Sequence, residues 1–226
     1  MLLEDAIADL QIHEVPGKAT QMRAHHKVER AYWGLTNPAI DNQARLWRQK
    51  LPLDERLLLA AELWDSNAYE ARICAAKLLT QARIRPDDIK AWSLIQSWLP
   101  DVDCPVISDH LCSAGHRRLN SDPSRIQIVE AWTQSPRVWT RCAALTITLP
   151  WTKHRNPKPH NLAIREQVLG WAARYTEDQN TLIQKSVGSW VFELSRKDPE
   201  RAAAFLAEHG TKMRSFARRD ASRLLS

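Results

Sequence analysis

Glycine is scarce in this chain, with 6 among 226 residues, and glycine is what tight hairpins and left-handed turns draw on. That argues against an all-β fold. Aromatic residues make up 7%, and the 10 Trp outnumber the 3 Tyr and 3 Phe. Ala, Leu, Arg and Glu recur instead, which favours helix interiors over strands. The 4 cysteines, Cys74, Cys104, Cys112 and Cys142, form no CxxC pair. Cys74 and Cys142 sit in apolar helical runs and read as small buried hydrophobes of a reducing compartment, so no disulfide framework is implied. No basic segment leads into an apolar stretch at the N-terminus, and no run reaches the ~18 apolar residues of a membrane span. The chain is therefore expected to be soluble, away from membranes and cytoplasmic. It has no GxxxxGK, GxGxxG or GxSxG, which leaves nucleotide hydrolysis, dinucleotide redox and serine-esterase chemistry without support.

What is present is short helical periodicity, punctuated by proline and by Asn, Asp or Ser caps. The pattern predicts helices over Leu2–Ile12, Lys18–Tyr32 (closed by Gly34), Asn37–Lys50, Leu53–Trp64 and Ala68–Ala82. Further helices are predicted from Pro86 to Trp98, Pro105 to about Gly115, Ser124 to Thr133 and Arg137 to Leu149. An irregular Pro150–Pro159 segment follows, and then helices near Leu162–Tyr175, Asp178–Arg196, Pro199–His209 and Lys212–Leu224. About a dozen helices joined by short turns, with similar pairs returning at about 35–45 residues, imply an all-α fold. We expect a HEAT-like repeat solenoid of about a dozen antiparallel helices with a concave basic face, in a single domain of residues 1–226. A compact bundle is the rival arrangement.

The net charge is +6 but uneven: residues 1–66 hold 8 Lys and Arg against 10 Asp and Glu, and residue 67 onward holds 24 against 16. A basic excess fits a polyanion partner, since cations that neutralise phosphates release counterions, although it also occurs without one. The stretch Ser97-Trp98-Leu99-Pro100-Asp101-Val102-Asp103 sets two carboxylates beside Trp and Pro between two predicted helices. Such a carboxylate can face a cleft, or it can cap the helix that follows. Cys104, His110, Cys112 and His116 lie close in sequence without the paired spacing of a zinc site, so no metal is expected. Most tryptophans fall on apolar stripes and read as packing between repeats. His25-His26-Lys27 reads as a solvated helix face rather than a ligand set, and the Lys153-to-Lys158 loop as solvated charge, or as groups that reach phosphates on a concave array.

Taken together, these segments resemble an AlkD-type DNA alkylation repair protein, a HEAT-like-repeat alkylpurine DNA glycosylase. The 97–103 stretch is similar to the family's Trp-Trp-Asp-x-Val-Asp motif, and Val138-Trp139-Thr140-Arg141-Cys142-Ala143-Ala144 to its Trp-x-x-Arg-Ala-Ala. Ile183-Gln184-Lys185-Ser186-Val187-Gly188, Glu70-Ala71-Arg72 and Phe216-Ala217-Arg218-Arg219 add to the match, which covers most of the chain.

The resemblance implies excision of cationic N3- or N7-alkylated purines from double-stranded DNA, by a monomer that needs no cofactor. Asp103 takes the catalytic position, where a carboxylate stabilises the sugar cation and positions water. Arg141 matches the arginine that holds backbone phosphate. Trp98, Lys185, Arg218, Arg219, Lys153, Arg155 and His25 complete the expected DNA-binding set. Three positions depart from the family's aromatic frame: Leu99 and Ser189 stand where tryptophans are expected, and His25 where a tyrosine is. Trp98 and Trp190 adjoin two of these, but neighbouring helical positions point about 100° apart. A non-catalytic HEAT-repeat module that binds damaged or branched DNA is the alternative, and a protein-interaction scaffold a third.

Overall fold

The structure is a computed structural model that describes residues 1–225. Among them there are thirteen α-helices, four short 3-10 turns and no strand, so the chain is all-α as the composition implies. It forms two compact units, Met1–Asp122 and Pro123–Ser226.

The first unit holds α1 (Leu3–Gln11), α2 (Lys18–His26), α3 (Asn37–Lys50), α4 (Leu53–Asp65), α5 (Tyr69–Leu78), α6 (Ile89–Trp98) and α7 (Pro105–Ser121). Thr36 starts α3, its hydroxyl accepting from Ala39 N–H at 3.3 Å with Pro38 in the first turn. That helix buries the predicted stripe of Ile40, Ala44 and Trp47. All ten residues of α5 are buried, because α3, α4 and α7 pack around it. A helix so enclosed must partner its polar groups internally, and α5 does so at Glu70, Arg72 and Lys77.

The second unit holds α8 (Ile126–Trp132), α9 (Val138–Thr146), α10 (Pro159–Tyr175), α11 (Thr181–Ser195), α12 (Pro199–His209) and α13 (Ser215–Ser222). Here α11 is the central helix, against α9, α12 and α13. Its contact with α13 is close at Gly188, where a Cβ would stand 2.9 Å from the Ala217 carbonyl oxygen.

Polar bonds between neighbouring helix pairs fix the repeat length. In the first unit Gly34–Glu70, Asp41–Lys77 and Asp54–Lys90 are each 36 residues apart and Trp64–Asp101 37. In the second, Glu130–Gln167 and Arg141–Asp178 are 37 apart, Glu166–Arg201 and Glu177–Lys212 35. The same offset in both units is what stacked helical pairs produce, at the short end of the expected interval. Trp47, Trp64, Trp92, Trp132, Trp151, Trp171 and Trp190 are all buried, in keeping with their reading as packing between pairs.

Some boundaries differ. α2 stops at His26, with Lys27 in the left-handed region at φ 55°. α5 ends at Leu78, α7 continues past Gly115 to Ser121, and α10 begins at Pro159 itself. Within the stretch expected to be irregular, Leu149–Lys153 forms a 3-10 turn. No helix among the described residues is long and apolar enough to cross a membrane.

Candidate nucleic-acid site

Asp103 lies between the 3-10 turn Leu99–Asp101 and α7, next to Cys104, which occupies the capping position with extended backbone. Neither nearby carboxylate caps α7. Asp101 accepts from the Trp64 indole Nε1 at 3.3 Å, and Asp103 Oδ2 accepts from Arg30 Nη2. The side chain of Asp103 keeps 36% exposure and that of Arg30 only 2%. Asp103 Oδ1 and Arg30 Nε and Nη1 are buried with no hydrogen-bond partner.

Arg30 is delivered by a loop that α5 holds in place. The fully buried Glu70 carboxylate accepts from the main-chain N–H groups of Trp33 (3.1 Å), Gly34 (2.7 Å) and Leu35 (3.1 Å). Gly34 permits this with φ 76°, and a Cβ there would meet the Ala19 nitrogen at 2.7 Å. Tyr69 N–H donates to Ala31 C=O at 2.9 Å and the Tyr32 hydroxyl to Val28 C=O at 3.1 Å. His26 packs on Tyr69 and Tyr32 with centroids at 4.5 and 5.9 Å, and His25 sits edge-on to His26 at 5.1 Å. Burial, then His25 and Arg30, hold the His26 pKa below its ordinary value; burial pushes the Tyr32 and Tyr69 hydroxyls up.

Behind the carboxylates, Trp98 stacks on Trp64 at 4.6 Å with planes 6° apart. Arg72 lies 4.8 Å over the Trp64 ring and donates to Trp64 C=O (3.3 Å) and Asp101 C=O (3.0 Å). Trp98, expected at the DNA surface, is thus turned into the protein and 4% exposed.

In the second unit Arg141 is the fourth residue of α9. Its guanidinium donates to Ser135 C=O (2.9 Å) and Pro136 C=O (3.4 Å) and pairs with Asp178 at 3.4 Å, keeping 20% exposure. Gln184 does a related task on α11: fully buried, its Nε2 donates to Tyr175, Thr176 and Asp178 C=O at 3.1, 3.0 and 2.7 Å, and its Oε1 accepts from Arg214 N–H at 2.9 Å. With Gln184 inside, Lys185 faces out, and Ser189 is exposed one turn later. Arg218 and Arg219 are exposed on α13. Lys153 and Arg155 are also exposed, but Lys153 lines a shallow cleft with Glu193, Arg196 and Lys197, at the opposite end of α11 from Lys185. Among the described residues no three His, Cys, Asp or Glu side chains group as a metal-ion site.

The sequence model of the family described as DNA alkylation repair enzyme matches residues 6–225. The chain belongs to that family. A structure described as a predicted DNA alkylation repair enzyme from Enterococcus faecalis superposes with TM-score 0.79 at 14% identity, covering 95% of this chain and 97% of that one. AlkD2 from Streptococcus mutans superposes with TM-score 0.68 at 17% identity, covering 100% and 98%. A further Streptococcus mutans protein gives 0.66 at 18%, covering 84% and 92%. These likenesses establish the helical-repeat fold. No curated protein matches the chain.

For this DNA alkylation repair family member, the positions that depart from the aromatic frame now have places. Leu99 is buried at 4%, Ser189 is exposed, and His25 is exposed beside His26. Neither adjacent tryptophan substitutes: Trp98 is on Trp64, and Trp190 is fully buried with Nε1 donating to Thr148 Oγ1 at 3.1 Å. Sequence reasoning missed Arg30 and the Tyr32–Tyr69 pair. One signal pointed there: Glu70 lies in a wholly buried helix, where an acidic group has to be paired with something.

Proposed function

We propose that this member of the DNA alkylation repair family is a DNA glycosylase that hydrolyses the N-glycosidic bond of cationic N3- and N7-alkylated purines in duplex DNA, with Asp103 as its carboxylate. The observation that carries the reading is that Asp103, in the family motif, is not spent on a helix cap and keeps a third of its side chain open. In the reaction the bond from C1′ to the purine nitrogen breaks, and its electron pair leaves with the base, whose ring charge is thereby neutralised. Positive charge passes to C1′ and O4′, where a carboxylate stabilises it. Water then adds its oxygen to C1′ and gives a proton to solvent, leaving free base and an abasic sugar. The base departs as a good leaving group, so no protein acid and no cofactor are required.

The remaining expected residues are proposed to bind the backbone. Arg141, Lys185, Arg218, Arg219, Lys153 and Arg155 supply cations for phosphates, His25 an exposed ring, and Trp98 a brace for Trp64 rather than a contact. The two units are proposed to act as one repair domain.

The test is release of N7-methylguanine from a duplex by the protein and by Asp103→Asn. Release by the former, reduced at least 100-fold in the latter, supports the reading; equal release removes Asp103 from its role. Duplex binding with no release by either favours the non-catalytic module, which the buried Leu99 and exposed Ser189 would then explain.

A further inference from the structure

Resting on the glycosylase reading, we propose that Arg30 is a charge-selectivity residue: it is the internal counter-ion that a developing sugar cation must displace from Asp103. The pair joins a loop cation to the proposed catalytic carboxylate through one bond, Nη2 to Oδ2, across 73 residues of sequence. A carboxylate so neutralised offers little attraction to a second cation. As the site stands, its preference for cationic over neutral sugar is set by how readily Arg30 gives way.

Two features show that Arg30 is held at this post yet poorly satisfied there. Glu70 and Tyr69 clamp the loop from Ala31 to Leu35 by four main-chain bonds, immediately after Arg30. At the same time the guanidinium, in a side chain 2% exposed, leaves Nε and Nη1 without partners, and Asp103 Oδ1 is likewise unmatched. A buried ion pair recovers its desolvation cost only when the remaining donors and acceptors are bonded too, so this one is weak for its depth. A cation at C1′ competes for the same oxygen. The positive charge of Arg72, whose guanidinium ends on the Asp101 carbonyl, opposes that of Arg30 by like-charge repulsion and so favours its displacement.

The test uses the whole protein and two abasic duplexes: one with a pyrrolidine ring, positively charged where the sugar cation forms, and one with neutral tetrahydrofuran. The unaltered protein is expected to bind them within about twofold of each other. Arg30→Gln is expected to favour the pyrrolidine duplex at least fivefold and to raise N7-methylguanine release, whereas Arg30→Lys, which retains the charge, is not. A pyrrolidine preference above tenfold in the unaltered protein overturns the proposal without any variant. So does an unchanged ratio in a folded Arg30→Gln protein, even where Asp103-dependent release shows the glycosylase reading to be sound. The opposite result, a shifted ratio with no base release, keeps Arg30 in its role and removes the glycosylase reading instead.

Discussion

At the scale of the residue, burial decides what a titratable group can do here. Glu70 has no exposure, and three successive main-chain N–H groups keep it satisfied; the same bonds fix the loop that carries Arg30. His110, on α7, meets the converse condition, because burial first and Lys77 second push its pKa down to about 4, against a smaller upward pull from Asp41. In the folded chain the ring is therefore neutral across a range where an unfolded histidine takes a proton at about 6.5. The unfolded state binds more protons between those two values, so stability is lost as pH falls from about 6.5 towards 4 and is regained above it. Denaturant melts across that window are expected to show the loss in the unaltered protein and a shallower one in His110→Gln. The difference in slope stays below about 1.4 kcal/mol per pH unit, the ceiling for one proton. A difference of zero, or one of opposite sign, contradicts the half-buried neutral ring.

At the scale of the element, two glycines inside helices separate close packing from mere tolerance. Gly188 on α11 faces the backbone of α13, where an added Cβ would stand 2.9 Å from the Ala217 oxygen and 3.3 Å from its Cα. Main-chain atoms cannot swing aside, so Gly188→Ala is expected to cost about 1–3 kcal/mol by overpacking. Gly170, on the exposed side of α10, has nothing within 4 Å of such a Cβ. Gly170→Ala is expected to stabilise by roughly 0.5–1 kcal/mol through helix propensity alone. Thermal melting of both variants checks the signs, and a neutral Gly188→Ala would deny the close crossing. These helices were legible in the sequence where local chemistry sets them, as at Thr36 before Asn37-Pro38 and Asp198 before Pro199, both seen accepting from first-turn N–H groups. They were not legible where a distant partner decides. The stretch from Lys27 to Tyr32 reads as helix locally, but it lies in a loop whose backbone Glu70 and Tyr69 claim from 35 or more residues away. Gly115 reads as a stop, yet it is buried within α7, which packs on α5 and runs on. The candidate site divides in the same way: Asp103 was visible in a contiguous motif, whereas Arg30 meets it only through the fold.

At the scale of the whole molecule, charge is partitioned between the two units. Residues 1–122 hold 15 Lys and Arg against 17 Asp and Glu, and residues 123–226 hold 17 against 9. The positive excess therefore belongs to the second unit alone. Much of it is already matched, since Arg165, Arg201 and Lys212 pair with Asp198, Glu166 and Glu177. Lys185, Arg218, Arg219, Lys153 and Arg155 are among the exposed cations of this unit that no ion pair neutralises among the described residues, and they are the ones proposed to meet phosphate. Each phosphate neutralised contributes about −0.9 to the slope of log K against log salt on duplex DNA. Replacing Lys185, Arg218 and Arg219 together by Ala is expected to flatten that slope by up to about 2.7 and to weaken binding at low salt without regard to sequence. Lys90 in the first unit, paired at 2.7 Å with Asp54, supplies the comparison, because Lys90→Ala should leave the slope within about 0.3 of its starting value. Titrations of a fluorescent duplex between 50 and 200 mM salt measure both. An equal flattening by Lys90→Ala, or none by the triple variant, would mean that DNA is held by something other than Lys185, Arg218 and Arg219.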